Sequence, residues 1–133
     1  MPLVAVTRLR VRSWRFMPGF AWFTWRSLRQ ARRAPGNQGV KVRKAEGLAF
    51  WTVTVWQDLA AMSAFRGAPP HRDAMTRLLE WCDEASLAHW DQESSALPDW
   101  ETAEARMAGS GRVSKVRHPT GDQQAGRLDF RRQ

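Results

Sequence analysis

Three histidines and one cysteine carry most of the proton-transfer, nucleophilic and metal-binding capacity of this 133-residue chain, which contains no tyrosine. His71 is the one best placed for chemistry. It follows the helix breaker Gly67-Ala68-Pro69-Pro70, so it falls in the first turn of a helix and shares a face with Met75, Leu78 and Cys82. The dipole at a helix N-terminus opposes protonation and partial burial adds to it, leaving a neutral imidazole able to accept a proton or bind a metal. The competing reading is a capping or packing histidine satisfied by local partners. His89, two residues before Asp91 on a strand, and His118, just before Pro119, read as structural or solvated. No H-x-x-x-H or C-x-x-C spacing occurs, so a zinc site has no ligand set. A Ser-His-Asp triad lacks its nucleophile elbow, and the missing phenol excludes tyrosyl chemistry.

The aromatic residues supply surface rather than reactivity. Trp14, Phe16, Phe20, Trp22, Phe23 and Trp25 place six of the fourteen aromatics within twelve residues. A helix cannot turn all of these rings to the stripe of Phe20, Phe23 and Leu28, so some are expected to line a cavity or an interface. A flat apolar molecule such as a polyketide, polyene or porphyrin suits such walls. Trp51, Trp56 and Trp90 fall on expected strands, and the two-residue period sends Trp51 and Trp56 to opposite faces. One of the two faces the helices and any cavity, and the other faces a partner sheet; the period does not say which. The candidate ligand contacts are therefore Phe20, Phe23, Trp51, Trp56, Met75 and Trp90. Arg26, Arg29 and Arg33 form a basic stripe that reads as a solvated face, with carboxylate or phosphate binding as the alternative.

The elements that must position these residues follow from periodicity. Leu3–Val11 alternates as a strand, Ser13–Pro18 is a loop, and 19–34 is helical up to the stop Ala34-Pro35-Gly36-Asn37. Val40–Arg43 and Leu48–Trp56 form a hairpin, the second strand covered on both faces. Asp58 caps a short helix carrying Leu59, Met62 and Phe65, and a second helix starts after Pro70. Ala85–Asp91 is a strand, Asp99 caps a helix with Trp100, Ala103 and Met107, and Arg112–Arg117 is a last strand. The order β-α-β-β-α-α-β-α-β is an α+β, ferredoxin-like pattern in which helices segregate to one face of an antiparallel sheet. Such a sheet exposes its second face in a monomer, and Val4, Val6, Phe50 and Thr52 are expected to need a symmetric partner to cover them.

Length and composition set the outer bounds. About 100–200 residues make one domain, here 1–118 with a polar, mobile tail at 119–133. Hydrophobic residues at 43% allow a packed core without disulfides or metals, and the absence of any 18-residue apolar run excludes a membrane span. One unpaired cysteine fits a reducing, cytoplasmic setting. The net charge of +8 divides into +11 over 1–44, −7 over 45–110 and +4 beyond. Because an acidic middle faces a basic N-terminal part, nucleic acid is not an expected partner.

The block Phe50-Trp51-Thr52-Val53-Thr54-Val55-Trp56, with Asp58, Ala61-Met62, Phe65, Gly67, His71-Arg72 and Ala74-Met75, resembles a known family. With Leu79 to Ser86 and His89-Trp90 downstream, it is similar to uncharacterised bacterial proteins related to spheroidene monooxygenase and to the antibiotic-biosynthesis-monooxygenase superfamily. The resemblance implies a dimeric α+β barrel with a ligand cavity between sheet and helices in each subunit. It also implies either an oxygenase without a metal, in which His71 is the general base or orienting group, or a haem protein in which His71 is the axial ligand. The expectation is a monooxygenase-like oxidoreductase or ligand-binding homologue acting on a hydrophobic small molecule as a homodimer. The alternative is a non-catalytic binding or structural dimer of the same fold.

Overall fold

The computed structural model describes residues 1–131. Five strands, β1 (Leu3–Val11), β2 (Asn37–Lys44), β3 (Ala49–Trp56), β4 (Cys82–Asp91) and β5 (Arg112–Val113), form one sheet in the order β2-β3-β1-β4-β5. Every pairing is antiparallel. The helices are α1 (Met17–Arg33), α2 (Leu59–Gly67), α3 (Pro69–Trp81), α4 (Trp100–Ser110) and a single turn, α5 (Gly121–Gln124). The first four strands with α1 to α3 make the ferredoxin-like arrangement, with these three helices packed on one sheet face.

Local chemistry sets the boundaries. Asp58 and Asp99 sit at the N-caps of α2 and α4 and accept from the backbone N–H groups of Ala61 and Thr102, at 2.9 and 2.7 Å. Gly36, at φ +85°, makes the left-handed turn from α1 into β2, a conformation that side chains with a Cβ rarely adopt. Gly19 lets α1 approach α3: a Cβ there would lie 2.9 Å from the Trp81 ring. Helix α3 ends at Trp81, so Cys82 opens β4 and is fully buried, rather than lying on the helix face with His71.

Register divides the residues of the central strands by size. Val4, Val6 and Arg8 of β1 pair with Val55, Val53 and Trp51 of β3, and with Trp90, Ala88 and Ser86 of β4. This face is filled by Ala103 and Met107 of α4, with Leu128 and Phe130 packed alongside. The alternate residues, Ala5, Thr7, Thr52 and Thr54, point towards α1 to α3. Phe50 and Thr52 therefore lie opposite Val4 and Val6, not beside them as expected. The face proposed for a partner's sheet is closed by α4 and the C-terminal segment, so the exposed-area argument for a dimer does not apply to it.

Residues 119–131, expected to trail as a mobile tail, are packed against the sheet. The buried Gln123 side chain accepts from Ala85 N–H at 3.1 Å and donates to the Ala85 carbonyl at 3.2 Å, acting as a strand substitute. The expected strand 112–117 pairs over only two residues, with Ser114 N–H adding one further bond to the Ala85 carbonyl at 2.8 Å. Beneath the segment lies a buried ion pair, Arg8 Nη1 to Glu84 Oε1 at 2.8 Å, with Thr120 Oγ1 donating to Glu84 Oε2 at 2.7 Å. The Phe130 ring covers the Arg8 guanidinium at 3.7 Å.

Removing one partner of a buried pair leaves an expensive charge behind. Glu84→Ala is expected to lower unfolding stability by roughly 3–5 kcal/mol in urea titrations, whereas the exposed pair of Arg127 and Asp122 contributes at most about 1 kcal/mol.

Candidate active site

The small residues on the helix-facing side of the sheet leave a cavity of about 170 Å³ between β1, β3 and β4 below and α1, α2 and α3 above. Its floor is Ala5, Thr7, Thr52, Thr54 and Leu87, and its roof includes Phe23, Leu28, Met62 and Leu78. The volume resembles that of an apolar cavity of about 150 Å³ known to bind benzene, and falls below the range of about 300–1,000 Å³ common for drug-sized ligands. A one- or two-ring molecule fits.

His71 lines this cavity together with Trp56. The Phe65 ring sits between them, stacked on Trp56 at 5.0 Å and 28° and tilted against the His71 imidazole at 4.6 Å and 54°. Trp56 is fixed in turn by its indole N–H, which donates to Thr54 Oγ1 at 2.8 Å. Gln30 of α1 clamps the junction below the histidine. Its Nε2 donates to the Phe65 carbonyl at 3.2 Å, and its Oε1 accepts from the His71 backbone N–H at 2.8 Å. That bond satisfies one of the amide groups left open at the start of α3, whose N-cap Ala68 makes no side-chain cap.

Two polar atoms at the cavity are poorly satisfied within the protein. Oγ of Ser27 is buried without a hydrogen bond, and Nδ1 of His71 is buried without one of good geometry, the imidazole having only a loose contact with the Arg66 backbone; both residues line this same cavity. Other buried polar atoms among the described residues also lack a partner away from this space, so what marks these two is their place on its wall, where a ligand with complementary groups would meet them. Burial pushes the His71 pKa below its ordinary value of 6.5. The nearby Arg66 backbone partly offsets this by favouring the charged ring, and the Arg66 charge adds to the depression. At neutral pH His71 is therefore a free base.

The expected contacts divide cleanly. Phe23, Trp56 and Met75 join His71 at the cavity. Trp51 and Trp90 lie on the opposite face of the sheet in the core with α4, which settles the orientation of the tryptophan pair. Phe20 is buried beside Phe50, at 5.1 Å, in the core next to Cys82 and is not a wall of the cavity. Sequence reasoning missed Ser27, Thr24, Gln30 and the threonines of the floor. The signal was present for Thr7, Thr52 and Thr54, which recur at a two-residue period inside strands otherwise rich in valine. Gln30 had no such signal, because its partners lie 35 and 41 residues away.

Other chemistry is excluded by environment. Burial, with the neighbouring Asp83 charge, pushes the Cys82 thiol up to about 12, so almost no thiolate exists at neutral pH. Among the described residues no cluster of three His, Cys, Asp or Glu side chains could hold a metal ion. The haem implied by the family resemblance is larger than the interior of about 170 Å³ and would have to extend through its open side; His71 and His89 are the lining imidazoles able to ligate iron.

The ferredoxin-like α+β fold is similar to that of several solved structures. SnoaB, a cofactor-independent oxygenase from Streptomyces nogalater, superposes with a TM-score of 0.59 at 18% identity, covering 74% of this chain and 98% of that one. Rv0793 from Mycobacterium tuberculosis gives 0.63 at 13% identity, over 71% and 100% of the two chains. An antibiotic biosynthesis monooxygenase gives 0.62 at 9% identity, over 69% and 99%. No functionally curated protein matches in sequence. The chain belongs to the domain of unknown function DUF3291, whose model matches residues 13–111.

Two outcomes test the geometry. Thr52→Leu is expected to fill the cavity floor, leaving thermal stability unchanged or raised by up to about 1 kcal/mol while abolishing uptake of single-ring ligands measured by calorimetry. Cys82 is expected to stay unmodified by an aromatic disulfide reagent at pH 8 until the protein unfolds, as followed by absorbance.

Proposed function

We propose that this protein is a monooxygenase-like enzyme acting on a small, electron-rich aromatic molecule held in the cavity, with His71 as general base. The observation that supports the reading is the mainly apolar, partly open space bordered by two poorly satisfied polar atoms, His71 Nδ1 and Ser27 Oγ. A phenolic or enolic ligand matches both: its ring contacts Phe23 and Trp56, and its hydroxyl meets the histidine. Its other polar group meets Ser27. The fold shared with SnoaB is consistent with oxygen chemistry carried by the substrate itself.

The chemistry follows from the charge state. Neutral His71 takes the hydroxyl proton, and the mainly apolar walls keep the resulting anion electron-rich. That anion reduces dioxygen; one oxygen atom enters the ring to give a quinone and the other leaves as water, so a phenol and O₂ become a quinone and H₂O. Phe65 and Gln30 act as positioning residues, one through the imidazole face and the other through the helix start. Substrates of the tetracyclic or polyene size need a wider cavity than this one.

Oxygen uptake with a panel of one- and two-ring hydroquinones and naphthols tests the reading. His71→Ala is expected to keep stability within about 1 kcal/mol and to lower turnover at least about 100-fold, the usual worth of a general base. The acid limb of the rate profile is expected below pH 6.5, because the folded histidine resists protonation. Stability carries the matching sign. The unfolded chain binds a proton near 6.5 while the folded chain does not, so stability is full above that value and falls as pH drops towards the folded pKa; His71→Asn removes that dependence. Tight ligand binding without oxygen consumption would instead assign the chain to the non-catalytic alternative.

A further inference from the structure

The outer face of α1 is an aromatic and cationic surface that the cavity does not use. Trp22 and Trp25 are 56% and 50% exposed, large values for the largest apolar side chains. They stack on each other at 5.6 Å and 27°, and Arg29 lies over Trp25 at 5.4 Å. At 100° per residue, Trp22, Trp25, Arg26, Arg29 and Arg33 fall within an arc of roughly 120° along one side of the helix. All five are exposed. None of these four-turn positions carries a carboxylate, and α1 as a whole has four arginines and no acid.

The charge continues beyond the helix. Across α1, α2 and α3 there are seven arginines against Asp73 and Glu80, and Glu80 is already engaged by Arg12 at 2.9 Å. On the far side of the sheet, α4 and the segment leading to it carry Glu93, Asp99, Glu101 and Glu104, but Glu104 is paired with Arg43, and Lys41 and Arg106 lie over Trp100 and Trp90 there. The helical layer is therefore the more positive side of the fold, with the far side close to balanced. The uncompensated arginines of α1 favour an approach with this helix towards a negatively charged plane.

We infer that this face docks the protein on an anionic phospholipid surface, with Trp22 and Trp25 in the headgroup region and Arg26, Arg29 and Arg33 against lipid phosphates. Tryptophan favours the boundary between water and acyl chains, and arginine pairs with phosphate through two parallel hydrogen bonds. A convex helix face lies flat on a plane with every one of these residues in contact. Charge argues against a second copy in this place: a symmetric contact would bring the arginine stripes of both copies together with no carboxylate between them. The indoles also stack on one another rather than standing apart to receive bases, as single-strand binding platforms do. The inference is independent of the catalytic reading, since no residue of the stripe lines the cavity.

Flotation of the full chain with phosphatidylcholine vesicles, with and without about 30% phosphatidylglycerol, tests it. Binding is expected only with the anionic lipid, to weaken sharply at about 1 M salt, and to shift tryptophan emission to shorter wavelength. Arg26→Glu/Arg29→Glu/Arg33→Glu is expected to reduce binding by at least roughly 100-fold, as each basic residue near an anionic surface contributes about fivefold. Trp22→Ser/Trp25→Ser is expected to lose the emission shift, while Arg112→Glu, on the exposed β5, changes little. Because the altered residues are exposed, circular dichroism should match the parent chain. Equal binding to neutral vesicles, no binding to either, or binding to single-stranded oligonucleotides that the same substitutions abolish in place of vesicle binding would each overturn the inference.

Discussion

The alternation of side-chain size along β1 and β3 is the constraint on which the rest of the molecule depends. One face receives Val4, Val6, Arg8, Trp51, Val53 and Val55, and these close into a packed core under α4 and the C-terminal segment. The other receives Ala5, Thr7, Thr52 and Thr54, too small to meet α1, α2 and α3 across the full gap. The cavity is what those small residues leave open. A shift of one residue in the pairing of β1 with β3 would send the valines into that space, so the register that builds the core also keeps the site open.

The core face carries the stability that an open site on the other face requires. Arg8 and Glu84 are buried as a pair, and Phe130 and Thr120 from the C-terminal segment complete their surroundings. Gln123 joins the same segment to the backbone of Ala85, a residue that also borders the cavity on its other side. The tail is thus part of the scaffold beneath the site. Its polar composition concealed this, because the contacts that hold it are hydrogen bonds and two apolar residues, not a periodic stripe.

How much was legible in the sequence depended on range. The order of the elements through β5 follows from local signals: the cap at Asp58, the turn at Gly36, the apolar period of α1. His71 was found by its place after Gly67-Ala68-Pro69-Pro70. Which face of the sheet it would meet was not, since the two-residue period separates Trp51 from Trp56 without saying which lies under the helices. That choice is made by the crossover of α1 and the packing of α4, both long-range. Trp51, Trp90 and Phe20 consequently fell outside the cavity, while Ser27, Thr7 and the floor threonines, individually unremarkable polar residues, lie on it.

The central claim is that the cavity is a ligand site whose polar contacts are His71 and Ser27. A crystal structure of the protein soaked with 2-naphthol measures this most directly. The account predicts the bicyclic ring between Phe23 and Trp56 with its hydroxyl within hydrogen-bond distance of His71 Nδ1, about 2.6–3.2 Å. An empty cavity at saturating naphthol, with His71 Nδ1 bonded to a protein group instead, would contradict it.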